Sequence, residues 1–195
     1  MAKHIIQIAG IKNLQEAEML LDNRIDWLGY PLRLPVNKED TTEKNARKII
    51  AETKSQSKSV LITYLSEANE IIEFCRFLNA NMVQLHGDIS LKELEKLKAQ
   101  APGLKIIKSL VVGLLSENEI EKTIHYTASL VDYFITDTYN PKTGATGATG
   151  LTHDWKISKE IVKYSPKPVI LAGGLNPDNI AEAIKVVQPF GVDAH

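Results

Sequence analysis

The 195 residues carry 23 Lys and Arg against 24 Asp and Glu, a formal charge of -1, and 44% of them are hydrophobic. That balance supplies no net field to gather nucleic acid or an anionic membrane, and the length suits one well-buried core over 1–195. A small-molecule ligand or a protein partner is expected instead. The one cysteine, Cys75, shares a helical face with Ala68, Ile71, Ile72 and Leu78, so it reads as a buried thiol. No disulfide framework is possible, and no apolar run reaches the roughly 18 residues of a membrane helix, so the cytoplasm is the expected compartment.

Apolar runs alternate with helical patterns along the whole chain. Strands are predicted over 4–8, 26–30, 59–64, 81–85, 104–111, 131–136, 168–172 and 190–194. Helices between them open on cap signals: Asn13 with Glu16, Ser90 with Glu93, and Ser116 with Glu119. Strict alternation of eight strands and seven helices implies parallel strands joined by right-handed crossovers, and eight such units favour a closed (β/α)8 barrel. An open doubly wound sheet is the structural alternative. The chain stops at GVDAH, directly after the eighth strand, so the barrel is expected to lack its last helix.

In such a barrel, chemistry gathers at the C-terminal ends of the strands. In VILAGGLNPDNIAEAI a strand runs into Gly173 and Gly174, with Asn176 in position to cap a helix that starts at Pro177. This is either a phosphate site at a helix N-terminus or a tight turn that needs glycine. Asp137 ends the sixth strand and precedes a loop with Gly144, Gly147 and Gly150, whose amides could close on an anion. Asp137 itself is a catalytic carboxyl or a cap for nearby amides. His86, in VQLHGD, is a general base or a hydrogen-bonded strand-end residue. Lys108 is a Schiff-base lysine or electrostatic support inside the barrel. No second His or Cys lies at ligand spacing, so neither a metal site nor a cofactor is expected.

Taken together, these segments resemble phosphoribosylanthranilate isomerase, a barrel enzyme of tryptophan biosynthesis. VQLHGD is similar to the family's fourth-strand signature. GATG followed by HDW at 153–155 is similar to its Gly-Gly-Thr-Gly and Phe-Asp-Trp pair. LAGGLNPDN and AIKVVQPFGVDA are similar to its phosphate loop and final strand. The resemblance implies an Amadori rearrangement of an aminoaldose phosphate by a monomer or homodimer acting on a phosphorylated sugar. It makes Asp137 the general acid. It gives Gly173, Gly174, Asn176, Gly147 and Asp193 to the substrate and its phosphate, and Arg33, with Lys38 second, to the anthranilate carboxylate. The chain departs from the pattern at the first strand, where the family's base is a Cys and this sequence has Ala9, with Gln7 where a Lys is common. His86 or water is then the substitute base. The alternatives are a divergent phosphosugar enzyme and a non-catalytic phosphosugar-binding protein.

Overall fold

A computed structural model describes residues 4–35, 38–139 and 152–195. Its strands are β1 (Ile5–Ala9), β2 (Trp27–Pro31), β3 (Lys58–Thr63), β4 (Met82–Leu85), β5 (Lys105–Val112), β6 (Tyr133–Thr138), β7 (Val169–Leu171) and β8 (Gly191–Ala194). The helices among the described residues are α1 (Leu14–Asp22), α2 (Glu43–Thr53), α3 (Ala68–Leu78), α4 (Leu91–Gln100), α5 (Glu117–Thr127), α6 (Trp155–Tyr164) and α7 (Ile180–Val187). The strands follow one another in chain order around a closed barrel, which rules out the open sheet. The chain divides into two compact units, Ile6–Ile107 and Met1–Ile5 with Lys108–His195.

In the unit Ile6–Ile107, β2, β3 and β4 are almost unbroken apolar runs, as strands covered on both faces must be. Leu28, Ile50, Leu61, Ile71, Leu78 and Leu85 are fully buried, and each such side chain contributes about 1.5–3 kcal/mol through its removal from water. Cys75 lies in that layer as predicted, and burial pushes its thiol up to about 12, which leaves it unreactive. In the other unit, Phe134, Ile135, Ile170 and Leu171 form the facing parallel pair of β6 and β7.

Most strand ends differ from the sequence reading by a residue or two, and two of the differences bear on the site. The strand predicted to stop at residue 8 extends through Ala9, because Ala9 pairs with Gly29 and the Gly29 carbonyl accepts from both Gly10 N–H and Ile11 N–H. The strand predicted over 131–136 runs over Tyr133–Thr138, so Asp137 lies within it and Thr138 ends it.

All three predicted caps form. Asn13, Ser90 and Ser116 accept from the backbone N–H of Glu16, Glu93 and Glu119, and Ser116 with Glu119 closes a full capping box. Glu93 is used differently: its carboxylate accepts from Ala68 N–H at 2.8 Å, at the start of α3, where Glu67 offers no side-chain cap. This bond, with help from Lys96, holds Glu93 below the usual carboxylate range. We expect Glu93→Ala to lower the midpoint of urea denaturation, as loss of a helix cap does, while Glu95→Ala leaves it near that of the parent.

Candidate active site

The acid side of the site lies where β6, β7 and α6 meet. Asp137 is 5% exposed, and burial pushes its carboxyl up to about 7, opposed by the Thr138 N–H that donates to its Oδ1 at 2.8 Å. A carboxyl held there is partly protonated at neutral pH, as a general acid requires. Thr138 also places its hydroxyl 2.9 Å from His153 Nδ1, and the opposite nitrogen, Nε2, lies 2.5 Å from Ser158 Oγ on α6. Burial pushes His153 down to about 4, so the ring is neutral. Nothing in the sequence pattern singled out His153. The available signal was HDW itself, a ring immediately before Asp154, whose carboxylate accepts from Lys156 N–H and caps α6.

Beside Thr138, the β7 strand ends and the chain turns through Gly173 (φ 99) and Gly174 (φ 61), both in the region that favours glycine. A Cβ on Gly173 would collide with Thr138 Oγ1 and come within 3.1 Å of His153 Nδ1, so no side chain fits. The expectation for Asn176 holds at the turn that leads into α7, although the regular helix starts later. α7 begins at Ile180 with Asn179 at the cap position, and Pro177 lies in the preceding turn. Asn176 builds that turn: its side chain accepts from Asp178 N–H at 2.9 Å, and its carbonyl accepts from Ile180 N–H. Its own N–H donates to Asn179 Oδ1 at 2.9 Å, while Asn179 Nδ2 donates to the Gly174 carbonyl. The loop's side chains already engage the amides of Asn176 and Asp178, which leaves the Gly173–Gly174 backbone as the better anion cradle. Asp193 lies in β8, one residue from its end.

The other unit holds the altered first strand. A Cβ added to Gly29 would come within 3.0 Å of Ala9 Cα, so the two paired residues are both small and sit close together. Behind Ala9, buried Gln7 donates from Nε2 to Gln84 Oε1 at 2.8 Å. Gln84 Nε2 in turn meets His86 Nε2 at 2.7 Å. His86 Nε2 is thereby engaged by Gln84, and the ring stacks 5.5 Å from Tyr64. A histidine so engaged is poorly placed to act as a general base. Arg33 is also engaged: its guanidinium meets Glu43 through Nε at 2.9 Å and lies 3.7 Å over the Phe74 ring. Its backbone is left-handed (φ 55), with its N–H donating to Glu39. Lys38 is exposed.

Gly144, Gly147 and Gly150 lie outside the described residues. Lys108 Nζ donates to the Ser109 carbonyl at 3.3 Å. Among the described residues no group of three or more His, Cys, Asp or Glu could hold a metal ion, and no helix is long and apolar enough to cross a membrane.

Comparison with known proteins gives a consistent picture. The family model described as N-(5'-phosphoribosyl)anthranilate (PRA) isomerase matches residues 6–195. N-(5'-phosphoribosyl)anthranilate isomerase 2 of Methanosarcina mazei is 39% identical over 191 residues, 97% of this chain and 83% of that protein. The corresponding isomerase of Methanocella arvoryzae is 33% identical over 188 residues, 96% of this chain and 85% of its own. The crystal structure of the phosphoribosyl anthranilate isomerase of Thermotoga maritima superposes with a TM-score of 0.81 at 27% identity, covering 98% of this chain and 87% of that one.

Burial of Asp137 makes stability depend on pH. The unfolded carboxyl ionises near 3.9 and the folded one at about 7, so its contribution to stability is full below about pH 4 and is lost as the pH rises through 7. Asn at this position accepts the Thr138 N–H without ionising. Urea denaturation should therefore find Asp137→Asn more stable than the parent at pH 8, by up to about 4 kcal/mol, with the gap closing towards pH 4. A gap of constant size across that range would show that the carboxyl is not held protonated by the fold.

Proposed function

The chain belongs to the N-(5'-phosphoribosyl)anthranilate isomerase family, and on that premise we propose that it converts phosphoribosylanthranilate, an aminoaldose phosphate, into the corresponding aminoketose phosphate. The observation that carries this reading is Asp137, a buried carboxyl at about 7 beside a glycine turn fit for phosphate.

In this reading the phosphate rests on the backbone of Gly173 and Gly174, whose missing side chains let an anion approach the main chain. Asp137 gives its proton to the ribose ring oxygen as the C1–O bond breaks, and the nitrogen lone pair forms the Schiff base. Loss of the C2 proton gives an enolamine, which tautomerises to the ketone. Among the described residues, Asp137 is the side chain matched to this proton traffic. At C2 the family's Cys is replaced by Ala9, and His86 Nε2 is engaged by Gln84. Water is therefore the acceptor, at a cost of about 10² to 10⁴ in rate. Arg33 would have to exchange Glu43 for the anthranilate carboxylate, and Lys38 is the second candidate for that role.

The same Ala9 favours a second reading, in which the barrel binds a different sugar phosphate, with or without turning it over. An assay with freshly generated phosphoribosylanthranilate separates the two. Slow turnover is expected from the parent, with a gain of about 10² to 10⁴ for Ala9→Cys, and no measurable rate for Asp137→Asn. The parent's rate should fall as the pH rises above about 7, where Asp137 loses its proton. Absence of turnover in both the parent and Ala9→Cys would discard the isomerase reading, and a thermal-shift panel of sugar phosphates would then test the second.

A further inference from the structure

We propose that His153 is a positioning residue that locks Thr138 against the Gly173 turn, so that the Asp137 carboxyl and the anion cradle keep one relative geometry. The inference rests on the reading of that turn as the phosphate site, and it assigns a task to a side chain outside the reacting groups.

Three observations carry it. First, the ring is held at both ends: Nδ1 lies 2.9 Å from Thr138 Oγ1 and Nε2 lies 2.5 Å from Ser158 Oγ. Both hydroxyl residues are buried, Ser158 completely. A neutral imidazole has one N–H and one lone pair, and each hydroxyl can donate or accept, so both contacts are satisfied with the proton on either nitrogen. Second, the Thr138 hydroxyl and the His153 ring edge occupy the space that a side chain at position 173 would need, so the turn is shaped against this pair. Third, Thr138 reaches the acid through its own backbone, its N–H donating to Asp137 Oδ1 at 2.8 Å. One residue therefore touches His153 with its hydroxyl, Gly173 with its side chain and Asp137 with its amide.

This arrangement differs from shape-filling in a testable way. A phenyl ring at 153, the residue of the Phe-Asp-Trp motif, fills the same volume and offers no hydrogen bond, leaving the Thr138 hydroxyl without its ring partner. Asn places an amide where Nδ1 stands and keeps the bond to Thr138. Gln reaches the Nε2 position and keeps only the bond to Ser158.

The experiment follows the Asp137 carboxyl by carbon-13 NMR through a pH titration and measures the affinity of inorganic phosphate, in the parent and in His153→Phe, His153→Asn and His153→Gln. In the Phe and Gln variants the Asp137 midpoint should fall by about half a pH unit or more as water reaches the loosened carboxyl. Phosphate affinity should weaken roughly tenfold as the turn loses its register with β6. The Asn variant should stay near the parent in both. A midpoint unchanged or raised in the Phe and Gln variants, or an Asn variant as impaired as the Phe one, would overturn the proposal. If His153→Phe does not fold, the contrast between Asn and Gln decides by itself. If the parent fails to bind inorganic phosphate, the phosphate reading of the turn falls, and the Asp137 midpoint alone decides the role of His153.

Discussion

A carboxyl buried at the end of a strand is the constraint around which the acid side of this protein is arranged. Ionising Asp137 in that setting holds a charge away from water, and the Thr138 N–H is placed to receive it. The proton therefore stays on until about pH 7, and the surroundings must hold a neutral acid in a fixed direction. Neighbouring groups help to meet that demand: Thr138 supplies an amide, His153 is itself neutral, and Ser158 closes the line into α6. A positive charge at any of these places would favour the carboxylate and lower the acid's strength of purpose at neutral pH.

The first strand obeys a different constraint. β1 and β2 pair at Ala9 and Gly29, where a Cβ on Gly29 would come within 3.0 Å of Ala9 Cα. The polar groups behind that point form a line, with Gln7 Nε2 donating to Gln84 Oε1 and Gln84 Nε2 meeting His86 Nε2. Such a line gives the buried side-chain amides of β1 and β4 a partner inside the barrel, and it engages a nitrogen that a base would need. Structural satisfaction and basicity compete for the same nitrogen at His86, and the geometry gives it to structure.

The barrel was legible because its signals are periodic. Strand runs such as VLIT and MVQL, and capping pairs such as Ser116 with Glu119, repeat the same physical demand many times, and each occurrence supports the others. Asp137 and the glycine turn were legible for the same reason, since a strand end in a parallel barrel is a known place to look. The sequence was silent where a side chain's partner lies far along the chain. Glu93 looked like half of a capping pair within α4 and instead caps α3. Arg33 looked available and is held by Glu43 and Phe74. Asn179 was passed over, yet its side chain accepts from Asn176 N–H and donates to the Gly174 carbonyl, tying the glycine turn to the start of α7. Each of these depends on which of several chemically equivalent partners comes within about 3 Å, and spacing along the chain does not encode that distance.

The two altered and retained positions carry unequal weight because their costs to the fold differ. Alanine at the end of β1, facing the small Gly29, removes a reactive atom with little packing to lose, so Ala9 is compatible with a stable barrel whatever the protein does. Aspartate at 137 is the opposite case. An amide side chain there would accept the same Thr138 N–H, fill nearly the same volume and avoid the penalty of a buried ionisable group. Packing therefore explains Ala9 and does not explain Asp137. A carboxyl that weakens the fold at neutral pH, and that an uncharged isostere could replace, is what the proposed proton transfer would require. That asymmetry weighs for proton transfer at this barrel and against a role confined to binding.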